Sequence, residues 1–234
     1  ALPIYINSAL LTSFVGEQYV GLVYSISSLL TILLFSLIPT ILEKYGNYKT
    51  VTSLLGLEFF AYLGMASGHS ATVIISFILS FVCIAVITFN IDVFLENLWD
   101  ATAIGKIRGV FLTIMNAGWI VSLLLGSLIL TDSHYWKIYL TGALLVLPIM
   151  LLLRELKDFT DPPYVKTPLL KTCLGVWKNK DILGVFIAHF LLQFFFAWMV
   201  IYTPLYLFDH IGFSWNEINI MFSIMLLPFV LIEL

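Results

Sequence analysis

Charge is what this chain most lacks. Asp, Glu, Lys and Arg together make up 11% of its 234 residues, where a soluble globular domain carries about 25%. That shortage excludes a water-soluble domain. Two cysteines, Cys83 and Cys173, are too few for a disulfide scaffold. The four histidines, His69, His134, His189 and His210, are scattered, with no metal-ligand spacing. Also missing are H-E-x-x-H, G-x-S-x-G and the phosphate-cradling G-x-x-x-x-G-K-[ST], so neither an enzyme nor an ATP-driven pump is expected, and no cofactor or metal is implied. A net charge of −3 with no sustained basic face argues against nucleic acid.

What is present in excess is apolar: 61% of residues are hydrophobic, which excludes disorder and leaves an integral membrane protein. A helix needs about 20 mostly apolar residues to cross a hydrocarbon core of about 30 Å. Runs of that kind fall at 18–42, 51–68, 71–95, 107–131, 136–153, 182–208 and 216–234. Residues 1–6 read as the tail of a helix that begins earlier, and the last run reaches Leu234 without a polar flank, so the chain is expected to be a fragment. The runs are too long for barrel strands and lack alternation, which predicts an all-α polytopic bundle.

Ten of the eleven basic residues lie in the connections 43–50, 96–109 and 154–181. The alternate connections, 7–17, 69–70, 132–137 and 209–217, hold only Lys137. The positive-inside rule therefore places the first set in the cytoplasm, as for a multi-pass protein of a plasma or inner membrane. The 154–181 connection contains Pro162, Pro163 and Pro168 and an amphipathic stretch, Leu169–Trp177, read either as a surface helix or as solvated linker. It divides the chain into 1–153, a linker at 154–181, and 182–234.

Across that linker runs a weak repeat. Pro3-Ile4-Tyr5-Ile6 precedes Tyr24-Ser25-Ile26, and Pro204-Leu205-Tyr206-Leu207 precedes Phe222-Ser223-Ile224, with Glu17 or Glu217 between. Two units in one orientation joined by a cytoplasmic linker describe a parallel transporter repeat.

The turn between the first two full spans reads Pro39-Thr40-Ile41-Leu42-Glu43-Lys44-Tyr45-Gly46-Asn47-Tyr48-Lys49. It resembles the G-x-x-x-D-[RK]-x-G-[RK]-[RK] signature of the major facilitator superfamily, with Glu43 for Asp, Lys44 and Gly46 matching, Pro39 for Gly, and Lys49 one place late. Gly105-Lys106-Ile107-Arg108-Gly109, followed by Asn116-Ala117-Gly118 and Gly126, is similar to the family's fourth loop and fifth helix. The resemblance implies two six-helix halves, here running from the end of helix 1 into helix 8. The arginine often found inside the family's helix 4 is missing, and Ser76, Ser80 and Cys83 stand on that span instead.

The resemblance implies a secondary transporter, symporter or antiporter, that moves a small solute by alternating access, with protons as a candidate coupling ion. A receptor or assembly subunit on the same fold, without net transport, is the alternative. Charged groups in hydrocarbon are costly, so each is a functional candidate. Glu58 lies seven residues into its run, about 10 Å from the cytoplasmic end, and is a candidate proton carrier or a protonated hydrogen-bonding group. His189 and Gln193, four apart, share one helix face and are candidates for solute contacts or for a structural hydrogen bond. Asn90 and Asn116 are the other deep polar side chains, candidates for lining a central cavity or for bonding across helices. Asp92, by resemblance, would pair with Lys44 or Lys49 to form a cytoplasmic gate with the Pro39–Lys49 turn.

Overall fold

A computed structural model of the chain describes residues 6–98, 104–130, 134–164 and 169–232. Every regular element among them is helical. The order is α1 (Asn7–Val15), α2 (Glu17–Tyr45), α3 (Asn47–Ala66), α4 (Ser70–Leu98), α5 (Ile104–Ile129), α6 (Trp136–Leu153), a 3₁₀ turn (Arg154–Leu156), α7 (Leu169–Lys178), α8 (Lys180–Tyr206), a π-helical turn (Leu207–Ile211) and α9 (Trp215–Ile232). Seven of these coincide with the seven apolar runs. Five are long and apolar enough to cross a membrane by themselves. Of the other two, α9 has 18 residues, and α3 has 20 but carries Lys49 and Glu58.

The start of the chain departs from the sequence reading. Residues 7–15 form helix α1 where a loop is expected, and the break is the single residue Gly16, at φ 79°. Asn7, Ser8, Thr12 and Ser13 look like loop residues, but Asn7 Oδ1 accepts from the Tyr139 hydroxyl of α6 at 2.8 Å, and Thr12 and Ser13 bond within the helix. Thr12 Oγ1 donates to the Ser8 carbonyl at 2.9 Å and Ser13 Oγ to that of Leu10 at 2.7 Å, as hydroxyls in helices can. Leu10 and Leu11 are buried beneath them. The first member of the Pro–aliphatic–Tyr repeat, at 3–5, lies outside the described residues.

Helix ends are marked by local chemistry. Asn179 caps α8, its side chain accepting from the Asp181 and Ile182 amides. Ahead of α9, Ser214 and Glu217 form a reciprocal capping box: the Ser214 amide donates to Glu217 Oε2 at 2.8 Å and the Glu217 amide to Ser214 Oγ at 3.3 Å.

Two apolar cores organise the bundle. One joins α1, α2, α3, α4 and α6 through residues such as Leu11, Val20, Val51, Phe77 and Tyr139. The second joins α1, α5, α6, α8 and α9 through Ile6, Leu123, Ile138, Leu205 and Phe222. Helix α1 contributes to both and sits at their junction. Helix α5 packs mainly along α9 and only lightly on its sequence neighbours.

The three basic connections meet at one end of the bundle. The α2–α3 turn touches Asp161 after α6, Phe94 stacks edge-on against Phe159 at 4.7 Å, and Arg108 pairs with Glu96 at 3.2 Å across the α4–α5 connection. Large apolar side chains stay exposed along α2 and α8, among them Leu29, Leu33, Val185 and Phe195. Lipid tails cover such surface without cost.

Candidate functional site

Small residues bring α3 close to both of its partners. A Cβ on Gly64 would collide with Ser76 Oγ of α4, and one on Gly142 of α6 would lie 3.2 Å from the Tyr62 ring. Close packing of this kind is how membrane helices approach. Between them, 11 residues past Asn47, sits Glu58, about 16 Å along the helix axis. The apolar stretch begins four residues after Asn47, at Val51.

Glu58 is 3% exposed. The Ser80 hydroxyl of α4 donates to its Oε1 at 2.7 Å, while Oε2 has no hydrogen-bond partner. Tyr62, one turn on, presents its phenol to the same carboxyl, outside hydrogen-bond geometry, and Cys83 is the further titratable neighbour. The carboxyl opens on a cavity of about 340 Å³ walled by α3 (Leu55, Tyr62), α4 (Ile87, Thr88), α5 (Ser122) and α6 (Val146). A half-satisfied carboxyl buried beside mostly apolar side chains is energetically expensive, and it is the kind of group that exchanges a proton.

The other polar candidates are placed apart from it. Asn90 is fully buried, and its backbone carbonyl accepts from Asn47 Nδ2 at 2.9 Å, which ties the start of α3 to α4. Its side-chain Nδ2 and Oδ1 have no partner. Asn116 is half-buried on α5 and does not line the Glu58 cavity. His189 and Gln193 do share one face of α8, their Nε2 atoms 3.5 Å apart. They line a second cavity, of about 920 Å³, with Thr31 and Phe35 of α2, Phe81 of α4 and Phe190. Glu58 and the His189–Gln193 pair thus lie at separate places, one inside the α3–α6 cluster and one between α2, α4 and α8, and Asn219 of α9, which the sequence reading did not single out, is a further buried side chain without a partner.

At the basic end, Pro39 lies within α2 and Gly46, at φ 79°, makes the whole turn to α3. Only glycine adopts that φ without strain. Glu43 lines the adjoining cavity with Gly46 and Asp161. The Lys44 ammonium sits 5.0 Å from the Tyr45 ring centre, and Lys49 lines an apolar groove of about 540 Å³ with Tyr45 and Tyr48. Neither lysine pairs with Asp92, which is half-buried on α4; the ion pair formed by the described residues is Arg108 with Glu96.

The acid that holds the turn is Asp161, which the sequence reading did not single out. Its Oδ1 accepts from the Asn47 amide at 2.8 Å and from the Tyr164 hydroxyl at 2.6 Å, and a Cβ on Gly46 would lie 2.5 Å from Oδ2. A carboxylate at a helix N-terminus satisfies a free amide and complements the helix dipole. Tyr164 packs against Ile38, Leu42 and Val86. Burial and then the Asp161 carboxylate push its phenol above the usual tyrosine range. The available signal was Asp161-Pro162-Pro163, an acid on a stiff extended segment leaving α6.

The comparisons with known proteins bear on the whole arrangement. The model of the Major Facilitator Superfamily matches residues 1–232. No curated protein and no solved structure matches the chain. With nearly every residue inside that match and the membrane-length apolar helices it requires, the chain belongs to the Major Facilitator Superfamily and is an integral, multi-pass membrane protein of a family of transporters.

Proposed function

We propose that the protein is a secondary active transporter that carries a small solute by alternating access and couples it to protons through Glu58. The observation that carries this reading is the Glu58 carboxyl: buried near the middle of α3, hydrogen-bonded at one oxygen only, and open to a cavity bounded by four helices. Intramembrane ionisable groups of this sort mark ion and substrate paths. The rocking units are 1–153 and the bundle that begins at 182, with 154–181 as the linker. The connections that hold ten of the eleven basic residues face the cytoplasm.

His189 and Gln193 supply polar contacts to the solute from α8. Asn90 and Asn116 are the further pathway residues, from α4 and α5. Asp92 is the partner of Lys44 or Lys49 in the other transport state, and Asp161 holds the Gly46 turn in this one. The test uses the full-length protein in proteoliposomes with an internal pH dye, challenged with pools of sugars, amino acids, organic acids and organic cations. One pool is expected to trigger proton movement, which Glu58→Gln abolishes. Proton coupling that survives Glu58→Gln would reject the role given to that residue.

A further inference from the structure

The Gly46 turn joins α2 and α3, yet the two helices pack on α4 and only lightly on each other. Between them lies the groove of about 540 Å³, with half-buried Leu34 and Ile41 of α2 and Leu54 of α3 as its walls and buried Ile38 and Val86 at its base. From Leu34 to Tyr45 it runs about 16 Å at 1.5 Å per residue, close to half of a hydrocarbon core of about 30 Å. The groove thus has the length of one leaflet. It is continuous with exposed apolar surface, Leu33 and Leu37 beside it on α2 and Leu57 and Phe60 deeper on α3, of the kind that lipid covers.

At the turn end the lining changes from aliphatic groups to donors. Lys49 is exposed and pairs with no carboxylate among the described residues, and no acid among them lines the groove. Glu43 and Asp161 line the separate cavity beside Gly46. The Lys44 ammonium, 5.0 Å from the Tyr45 ring centre, adds a second positive charge at the mouth. The Thr50 and Thr52 hydroxyls are committed to the Gly46 and Tyr48 carbonyls, each at 2.8 Å.

We propose that this groove holds an anionic phospholipid of the cytoplasmic leaflet, with one acyl chain along Leu34, Ile41 and Leu54 and the phosphate against Lys49 Nζ. The proposal goes beyond the transport reading and shares with it only the cytoplasmic placement of the 43–50 connection. Basic pockets between membrane helices on that side take acidic headgroups. A zwitterionic lipid fits less well, because its choline or ethanolamine cation would meet Lys44 and Lys49 and no acid.

The probe is dioleoylphosphatidylglycerol, titrated into the purified full-length protein in detergent and counted by native mass spectrometry, with dioleoylphosphatidylcholine as the zwitterionic comparison. Preferential binding of phosphatidylglycerol is expected, about fivefold weaker in Lys49→Gln, the factor for one lysine at an anionic lipid, and undisturbed by excess inorganic phosphate. Ser53→Trp, which fills the groove from an exposed position and leaves both lysines in place, is expected to weaken binding as well. A phosphatidylglycerol with a diazirine at the end of one acyl chain is expected to label α2 near Leu34 on irradiation. Equal binding of the two lipids, undiminished binding in both variants, displacement by phosphate, or labelling confined to other helices would overturn the proposal, the last because protein then covers the groove. Detergent gives the lipid access to both ends of the bundle, so a reversed sidedness would leave these results unchanged and is read separately, from the side on which Lys44→Cys is modified in sealed proteoliposomes.

Discussion

Helices α3 and α8 treat their polar groups in opposite ways. Helix α3 carries Asn47, Lys49, Thr50 and Glu58 and is the less apolar of the two, yet it is enclosed by α4 and α6 and buries Asn47, Thr50 and Glu58. Helix α8 is apolar around most of its circumference, yet nearly all of it is exposed, including His189 and Gln193. Polarity in a membrane helix is thus no guide to exposure, since α4 is as apolar as α8 and is enclosed while α8 is not. It follows that the polar groups of α3 are part of the fold, while those of α8 add little to its packing.

The largest effect expected from this contrast is on transport. Glu58→Gln keeps an oxygen for the Ser80 hydroxyl, so the protein should fold while proton-coupled flux disappears in the dye assay; retained coupling would show that α3's carboxyl is merely structural. Next comes packing. Gly64→Val places a side chain on Ser76 and should cost about 1–3 kcal/mol, the usual penalty for overpacking, seen as a lower thermal midpoint in detergent. No loss would mean that α3 and α4 are not as tightly apposed as the Gly64–Ser76 contact requires.

A smaller change is expected from Asp161→Ala. Removing the cap of α3 should destabilise by about 1 kcal/mol and raise the reactivity of a cysteine introduced at Asn47's neighbour Tyr48; unchanged reactivity would show that the linker does not hold the turn. The smallest belongs to α8. His189→Ala should alter stability by less than about 0.5 kcal/mol, as surface changes do, while reducing solute flux. A marked stability loss would break the contrast, since it would mean that His189 supports the fold.

Much of the architecture was legible beforehand, and the parts that were not share a cause. The span at 136–153 coincides with α6, because a run of aliphatic residues flanked by polar ones has one solution in a bilayer. Helix α1 is not legible in composition because Thr12 and Ser13 are satisfied by carbonyls one turn back and Asn7 by the distant Tyr139 hydroxyl. Glu58 was recognisable as an acid within an apolar run, but that Ser80 of α4 holds one of its oxygens was not. The i, i+4 spacing correctly put His189 and Gln193 on one face. It could not say that the face looks toward Thr31 and Phe81 and away from Glu58.

The sequence by itself determined the membrane class, the helical spans and the family, because these follow from chain-local quantities: run length, charge placement and a turn motif. Only the tertiary structure decided which oxygen of Glu58 is left without a partner, that α5 lies along α9, and that Asp161, 114 residues away, holds the Asn47 amide. Those outcomes depend on which helix faces meet, and helices that are apolar on several sides can meet in many ways. Close approach at Gly64 and Gly142 and the few available polar partners select among them.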